Sequence, residues 1–256
     1  MQRKTHINNY LSLKSQNRIP ILMKEYTKEE RRMWVEEVKM LYKQVRLHLD
    51  DYTINFIGNM LRVKPNVFSP FYFKNTEWYA LLLPEIIGNS DFLEIGTGTG
   101  AIAIHCKLMG ANVTATDINA DAIFCAEKNF IDLGLKIPLY IGDVYDAVPQ
   151  NEKFDYIFWN HPFNNSEQQI TDSLMAAGFD YDYNALKKYI KNASNFLKNP
   201  NTGLLLGTGG QADLKSVIQI AEENNYKMNL ISYIEMNLGK NTEAPNDFRI
   251  YELTKY

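Results

Sequence analysis

The sequence has little of what holds a metal or staples a small fold. Among its 256 residues are only two cysteines, Cys106 and Cys125, and neither a second pair nor a histidine gives them metal-ligand spacing. The four histidines, His6, His48, His105 and His161, are scattered without an H-E-x-x-H arrangement. A disulfide framework and a structural zinc site are excluded, and no metal is expected. Neither sign of charge is in excess: 27 basic against 30 acidic residues leave a formal charge of -3, which argues against a protein held on nucleic acid by bulk charge. Also missing are the run of ~18 apolar residues that a spanning helix needs and the 7 to 15 residue (approximately) apolar stretch of a secretory signal. The expectation is a soluble, cytoplasmic protein with no membrane partner.

What is present suffices for a sizeable core, with 45% hydrophobic and 22% charged residues. At roughly 150 residues per domain, the length suits one large domain with a small appendage. Met1 to Lys24 carries Arg3, Lys4, Lys14, Arg18 and Lys24 without an acidic residue, either as a solvated lead-in or as a contact for an anionic partner. Thr27-Lys-Glu-Glu30 is a capping-box pattern, and Trp34, Val38, Leu41 and Val45 then recur at helical spacing to about Asp50. From Thr53 to Thr76, punctuation by Gly58, Pro65 and Pro70 suits a hairpin or linker. This divides the chain into a helical N-terminal region, 1–55, and a larger domain, 56–256.

Past that division, strand and helix signals alternate. Phe92 to Ile95, Asn112 to Thr116, Ile137 to Ile141 and Tyr156 to Trp159 read as buried strands, with helices after the first two. This is the signature of βαβ units and a parallel sheet covered on both faces. Ala185 to Leu197 carries an amphipathic helix pattern, Gly203 to Leu206 a strand, and Gly207-Thr-Gly-Gly210 a turn. Lys227 to Ile234 and Asp247 to Thr254 read as two strands joined by a polar loop.

The informative stretch is Phe92-Leu-Glu94-Ile-Gly96-Thr97-Gly98-Thr-Gly100-Ala101, a buried strand running through glycines into a helix. Glycine permits a sharp turn and close approach of a ligand, and the helix N-terminus offers unpaired N–H groups. Asp117, at the end of the next strand, stands where a carboxylate accepts hydrogen bonds from ribose hydroxyls. A nucleotide-like ligand follows. Gly96, Gly98 and Ala101 also satisfy G-x-G-x-x-A, so the turn alone leaves NAD and S-adenosylmethionine open.

Glu94-Ile-Gly96-Thr97-Gly98-Thr-Gly100 resembles the first motif of class I S-adenosylmethionine-dependent methyltransferases, and Gly142-Asp143-Val144 resembles their adenine-contacting position. Asp155-Tyr-Ile-Phe-Trp-Asn160-His161-Pro162-Phe163 resembles the Asp-x-x-x-x-Asn-Pro-Pro-Phe/Tyr motif of the branch that methylates amino and amide nitrogens. Upstream, Arg62 to Glu77 has the layout seen before the first motif in HemK-like glutamine methyltransferases and small-domain RNA methyltransferases. The resemblance implies an α/β fold: a Rossmann-like class I methyltransferase sheet, parallel with a C-terminal antiparallel hairpin, plus the small helical N-terminal region. It implies S-adenosylmethionine as cofactor, held by Glu94, Gly96, Thr97, Gly98, Gly100, Asp117, Ile118, Asp143, Val144 and Asn160. Catalysis falls to Asn160, His161, Pro162 and Phe163.

Methyl transfer from a sulfonium is an in-line displacement, so positioning the nucleophile is the main task. The Asn160 side-chain oxygen and the His161 carbonyl can accept the hydrogens of an amide or amine nitrogen and so aim its lone pair. Pro162 holds that carbonyl in place by restricting itself and its predecessor, and Phe163 offers a stacking face. His161 departs from the family pattern, where a proline stands. Its imidazole either contacts the acceptor or only packs. Phe179, Tyr181 and Tyr183, in the polar segment after this motif, are candidates to line the acceptor site. A small-molecule or protein acceptor is expected ahead of nucleic acid. The alternative chemistry is transfer or cyclisation of the cofactor's aminocarboxypropyl portion, which releases methylthioadenosine.

Overall fold

The computed structural model describes residues 25–236 and 246–256. The basic run from Met1 to Lys24 lies outside the described residues, as does the loop between the last two strands, 237–245. The first described helix, α1 (Lys28–Val45), begins where the capping box predicts. Thr27 Oγ1 accepts the Glu30 N–H at 3.2 Å and Glu30 Oε2 accepts the Thr27 N–H at 2.8 Å. Its stripe of Trp34, Val38, Leu41, Tyr42 and Val45 is buried.

Strands β1 (Tyr52–Phe56) and β2 (Asn59–Val63) form a hairpin. Its two-residue turn has positive φ at both Ile57 and Gly58, the conformation that matches strand twist. The boundary expected between residues 55 and 56 therefore falls inside β1, one residue from its end. Within the described residues, Trp34, Val38 and Tyr42 of α1 share one core with Phe73, Phe158 and Phe248. A period-3.6 stripe announces that a helix buries one face but not what covers it.

Next comes α2 (Asn75–Ile87), which was not expected, and then the expected series of β3 (Asp91–Ile95), α3 (Ala101–Leu108), β4 (Asn112–Asp117), α4 (Ala120–Asp132), β5 (Leu139–Ile141) and β6 (Tyr156–Asn160). After β6 come β7 (Asn164–Ser166), α5 (Ser173–Ala176) and β8 (Phe179–Tyr181), in which β7 and β8 pair as a small parallel sheet. Helix α6 (Asn184–Asn192), β9 (Leu204–Gly209), α7 (Leu214–Glu223), β10 (Tyr226–Met236) and β11 (Asn246–Lys255) complete the chain. The main sheet runs β10-β11-β9-β6-β3-β4-β5. It is parallel from β9 to β5 and antiparallel at β9–β11 and β11–β10.

Consecutive strand residues serve opposite faces. Phe92, Phe158 and Leu205 pack with α1 to α4, whereas Leu93, Ile157 and Leu204 pack with α6 and α7. Two local expectations change. Gly207 to Gly209 continues β9 instead of turning, since Gly207, Thr208 and Gly209 pair with β11. The pattern from Ala185 to Leu197 is helical only to Asn192 and tightens into a 3₁₀ turn at Ala193–Asn195.

Candidate active site

Strand β3 carries Glu94 into the glycine turn. A Cβ on Gly96 (φ +66°) would lie 2.8 Å from Trp159 Nε1, and one on Gly100 (φ +79°) would lie 2.6 Å from the Phe130 ring. Both positions therefore need glycine for conformation and for space. Glu94 is buried; its Oε2 accepts the Thr97 hydroxyl at 2.7 Å and the Ala103 N–H at 3.0 Å, tying the turn to the first turn of α3. Burial pushes its carboxyl up to about 8 against these two donors.

Asp117, at the end of β4, accepts the Gly98 N–H at 2.8 Å through Oδ2 and the Asn119 N–H at 2.8 Å through Oδ1. Burial raises its carboxyl above the usual range, opposed by these backbone donors. Ile118 follows with 63% of its surface exposed. Val144 has φ +55° and its carbonyl accepts the Thr116 hydroxyl at 3.3 Å. Asp143 beside it pairs with Lys188 at 2.8 Å.

These groups line one cavity of about 520 Å³ at the carboxyl ends of the parallel strands. It lies between β3 and β6, where the strand order reverses, the place where open α/β sheets bind ligands. Glu94, Gly96, Thr97, Gly98, Asp117, Ile118, Asp143, Val144 and Asn160 all contribute to its wall, and Gly100 stands at the start of α3 just behind it. The far wall is Phe68, Pro70, Thr76, Pro162, Ile170, Ala177, Phe179 and Tyr181. Asn160 Oδ1 is buried without a hydrogen-bond partner, and so is the Thr76 hydroxyl oxygen. The cavity thus combines a glycine cradle, the carboxyl groups of Glu94, Asp117 and Asp143, an exposed apolar side chain and an unsatisfied acceptor, which fits a nucleoside bearing an amino-acid arm.

Residues 59–205 match the family model of the methyltransferase small domain. The chain belongs to that family. It is 33% identical to the release factor glutamine methyltransferase of Streptococcus pneumoniae over 194 residues, 70% of this chain and 67% of that protein. It is 38% identical to the ribosomal protein uL3 glutamine methyltransferase of Burkholderia pseudomallei over 93 residues, 32% of this chain and 30% of that one. In fold it resembles a 16S rRNA methyltransferase of T. thermophilus solved with S-adenosylmethionine and guanosine. The TM-score is 0.53 at 18% identity, covering 80% of this chain and 50% of that one. The protein is a methyltransferase that uses S-adenosylmethionine. Its relatives give no support to the aminocarboxypropyl alternative.

Two of the four residues expected to act on the acceptor do not reach the methyltransferase cavity with their side chains. His161 is 1% exposed, and its Nε2 lies 3.0 Å from Thr208 Oγ1. Burial lowers its imidazole to about 3, so at neutral pH it carries no charge and stands off the cavity wall. Phe163 turns its ring to Trp34 at 6.2 Å and 17°, and its carbonyl accepts the Tyr183 hydroxyl at 2.9 Å. The stacking face expected for substrate is covered by α1. Asn160 and Pro162 do line the cavity, as do Phe179 and Tyr181, whereas Tyr183 is buried beneath Phe163. The sequence reading missed Ile170, Ala177 and Lys188. Helix α5, four residues long, is too short to show a period, and the Lys188–Asp143 pair spans 45 residues, so neither had a local signal.

Proposed function

We propose that this methyltransferase N-methylates the side-chain amide of a glutamine in a protein acceptor. The observation that carries the reading is the buried, unpartnered Asn160 Oδ1 on the wall shared with the glycine turn. An amide nitrogen is a weak nucleophile, and accepting its hydrogens orients the lone pair toward the methyl group. Asn160 Oδ1 accepts one hydrogen and the His161 carbonyl, fixed ahead of Pro162, accepts the other. When bound, the cofactor supplies an electrophilic methyl group. Glu94 and the Gly96–Gly100 turn would hold its amino-acid arm, Asp117 its ribose, and Ile118, Asp143 and Val144 its adenine.

The acceptor side supports a protein substrate. Lys188 is the only basic residue among the described residues on the cavity wall, and Asp143 and Asp146 pair with it. A polynucleotide backbone would ask for several free cations there. The names of the Streptococcus and Burkholderia relatives point the same way, since both act on glutamine in proteins of translation. The test uses methyl-labelled S-adenosylmethionine with separated protein, RNA and small-molecule fractions of a cell extract. Label on a glutamine of a protein is expected, and label confined to RNA or to small molecules would overturn the reading.

A further inference from the structure

Behind Asn160 lies a second, smaller cavity of about 30 Å³. Trp34, Val38, Phe68, Phe73 and Phe163 give it apolar walls. Buried polar side chains also line it: Tyr42 from α1, 1% exposed, Asn75 from the start of α2, 3% exposed, and, past Asn160, His161 and Asn164. The Tyr42 hydroxyl, Asn75 Oδ1 and His161 Nδ1 have no hydrogen-bond partner, and Asn160, whose Oδ1 has none either, lines this cavity as well as the large one. Buried polar atoms are almost always satisfied, and four on residues around one small space demand a shared partner.

The chemistry of the four atoms identifies that partner. Asn75 Oδ1 and Asn160 Oδ1 can only accept, while the Tyr42 hydroxyl can donate. Burial pushes that hydroxyl far above the phenol range, so it keeps its proton. One water satisfies all four: it takes the Tyr42 O–H and the His161 Nδ1–H on its two lone pairs and gives one hydrogen to each amide oxygen, with His161 Nε2 accepting from the Thr208 hydroxyl. A volume of about 30 Å³ exceeds the ~10–15 Å³ a single water requires, and four polar partners stay within the roughly two to four that buried waters have. We propose that this cavity holds one structural water that ties Tyr42 and Asn75 to Asn160, making them positioning residues for the Asn160 amide.

The positioning half rests on the reading of Asn160 as the acceptor of the substrate N–H. Torsion about the last bond of an asparagine is broad and roughly two-fold, so the side chain does not fix its own oxygen. A water bonded to one lone pair of Oδ1 fixes the plane of the amide and leaves the second lone pair for the substrate. Helix α1 then does more than cover Phe163, because its Tyr42 reaches the catalytic turn through one hydrogen-bonded step.

A high-resolution crystal structure of the full chain tests the bridge without reference to activity. A water peak within about 3 Å of Tyr42 Oη, Asn75 Oδ1 and Asn160 Oδ1 is expected. A dry cavity, or a direct Tyr42–Asn75 bond, would overturn it. Kinetics test the positioning: Tyr42→Phe and Asn75→Leu are each expected to lower kcat about tenfold with unchanged cofactor affinity and acceptor KM. Because one water serves both, the double variant should be no slower than the slower single variant. Parental kcat in Tyr42→Phe, or multiplying losses in the double variant, would overturn the shared positioning role. Full activity in Asn160→Ala would remove the acceptor reading and the positioning with it, whereas a missing water removes only the bridge.

Discussion

Asp117 holds the Gly98 N–H on its Oδ2 at 2.8 Å, so the end of β4 and the turn after β3 are joined across the cofactor cleft. The same carboxylate is the one proposed to receive the ribose hydroxyls. Asp117→Ala removes both functions. Loss of hydrogen bonds to a charged group costs about 1.5 to 3 kcal/mol, so affinity for S-adenosylhomocysteine should fall by roughly tenfold to a hundredfold or more. Titration calorimetry on the folded variant checks this. Unchanged affinity would remove Asp117 from the cofactor site.

Glu94 sets a pH dependence on the neutral side. Burial raises its carboxyl to about 8 from an ordinary value of 4.5, so between those values the folded chain holds a proton that the unfolded chain has released. Stability falls as pH rises wherever the native state binds more protons. The Glu94 contribution is therefore fully present below 4.5 and is lost as pH climbs to about 8. Glu94→Gln keeps an oxygen for Thr97 and Ala103 while removing the ionisation. Its melting temperature should decline less than the parent's across this window, as thermal melts at a series of pH values would show. Parallel curves would refute the assignment.

Asn160→Ala should separate binding from chemistry. Asn160 acts in our reading on the acceptor nitrogen, so the variant should keep its affinity for cofactor and lose at least tenfold in kcat, about 1.4 kcal/mol of barrier. Single-turnover rates at saturating cofactor, with a binding isotherm on the same preparation, make the measurement. Equal rates in parent and variant would sink the mechanism.

Local chemistry explains what could be read from the sequence. The glycine turn, Asp117 and Asn160 announce themselves because a sharp turn, a strand end and a helix start leave short-range marks, and all of them meet at one cavity. The strand-helix alternation likewise gave the parallel sheet. What stayed hidden is non-local. Phe163 lies 129 positions from Trp34, and nothing near it says that α1 will cover its ring. Gly207 to Gly209 carries the composition of a turn, yet pairing with β11 keeps it extended. Helix α2 went unread because its residues are apolar on most sides, with Trp78, Tyr79, Ala80 and Leu83 all buried, and such a segment lacks the stripe that marks a surface helix.

His161 is where the burial found in the structure sharpens an expectation most. An imidazole lowered by burial from 6.5 to about 3 stays neutral throughout pH 6 to 8, so it cannot impose a titration on turnover in that range. Its linkage runs opposite to that of Glu94. The unfolded chain binds the extra proton between about 3 and 6.5, so this contribution to stability is present above 6.5 and is lost as pH falls toward about 3. His161→Gln should flatten that acid-side loss, and His161→Pro, which restores the family's residue, should leave the Thr208 hydroxyl without its ring partner. Orphaning a buried hydroxyl costs about 1 to 3 kcal/mol, so the proline variant should melt several degrees lower. Turnover profiles of both variants between pH 6 and 8 should keep the parent's shape. A pH-dependent loss of kcat or acceptor affinity in both variants would show that the imidazole meets the substrate after all.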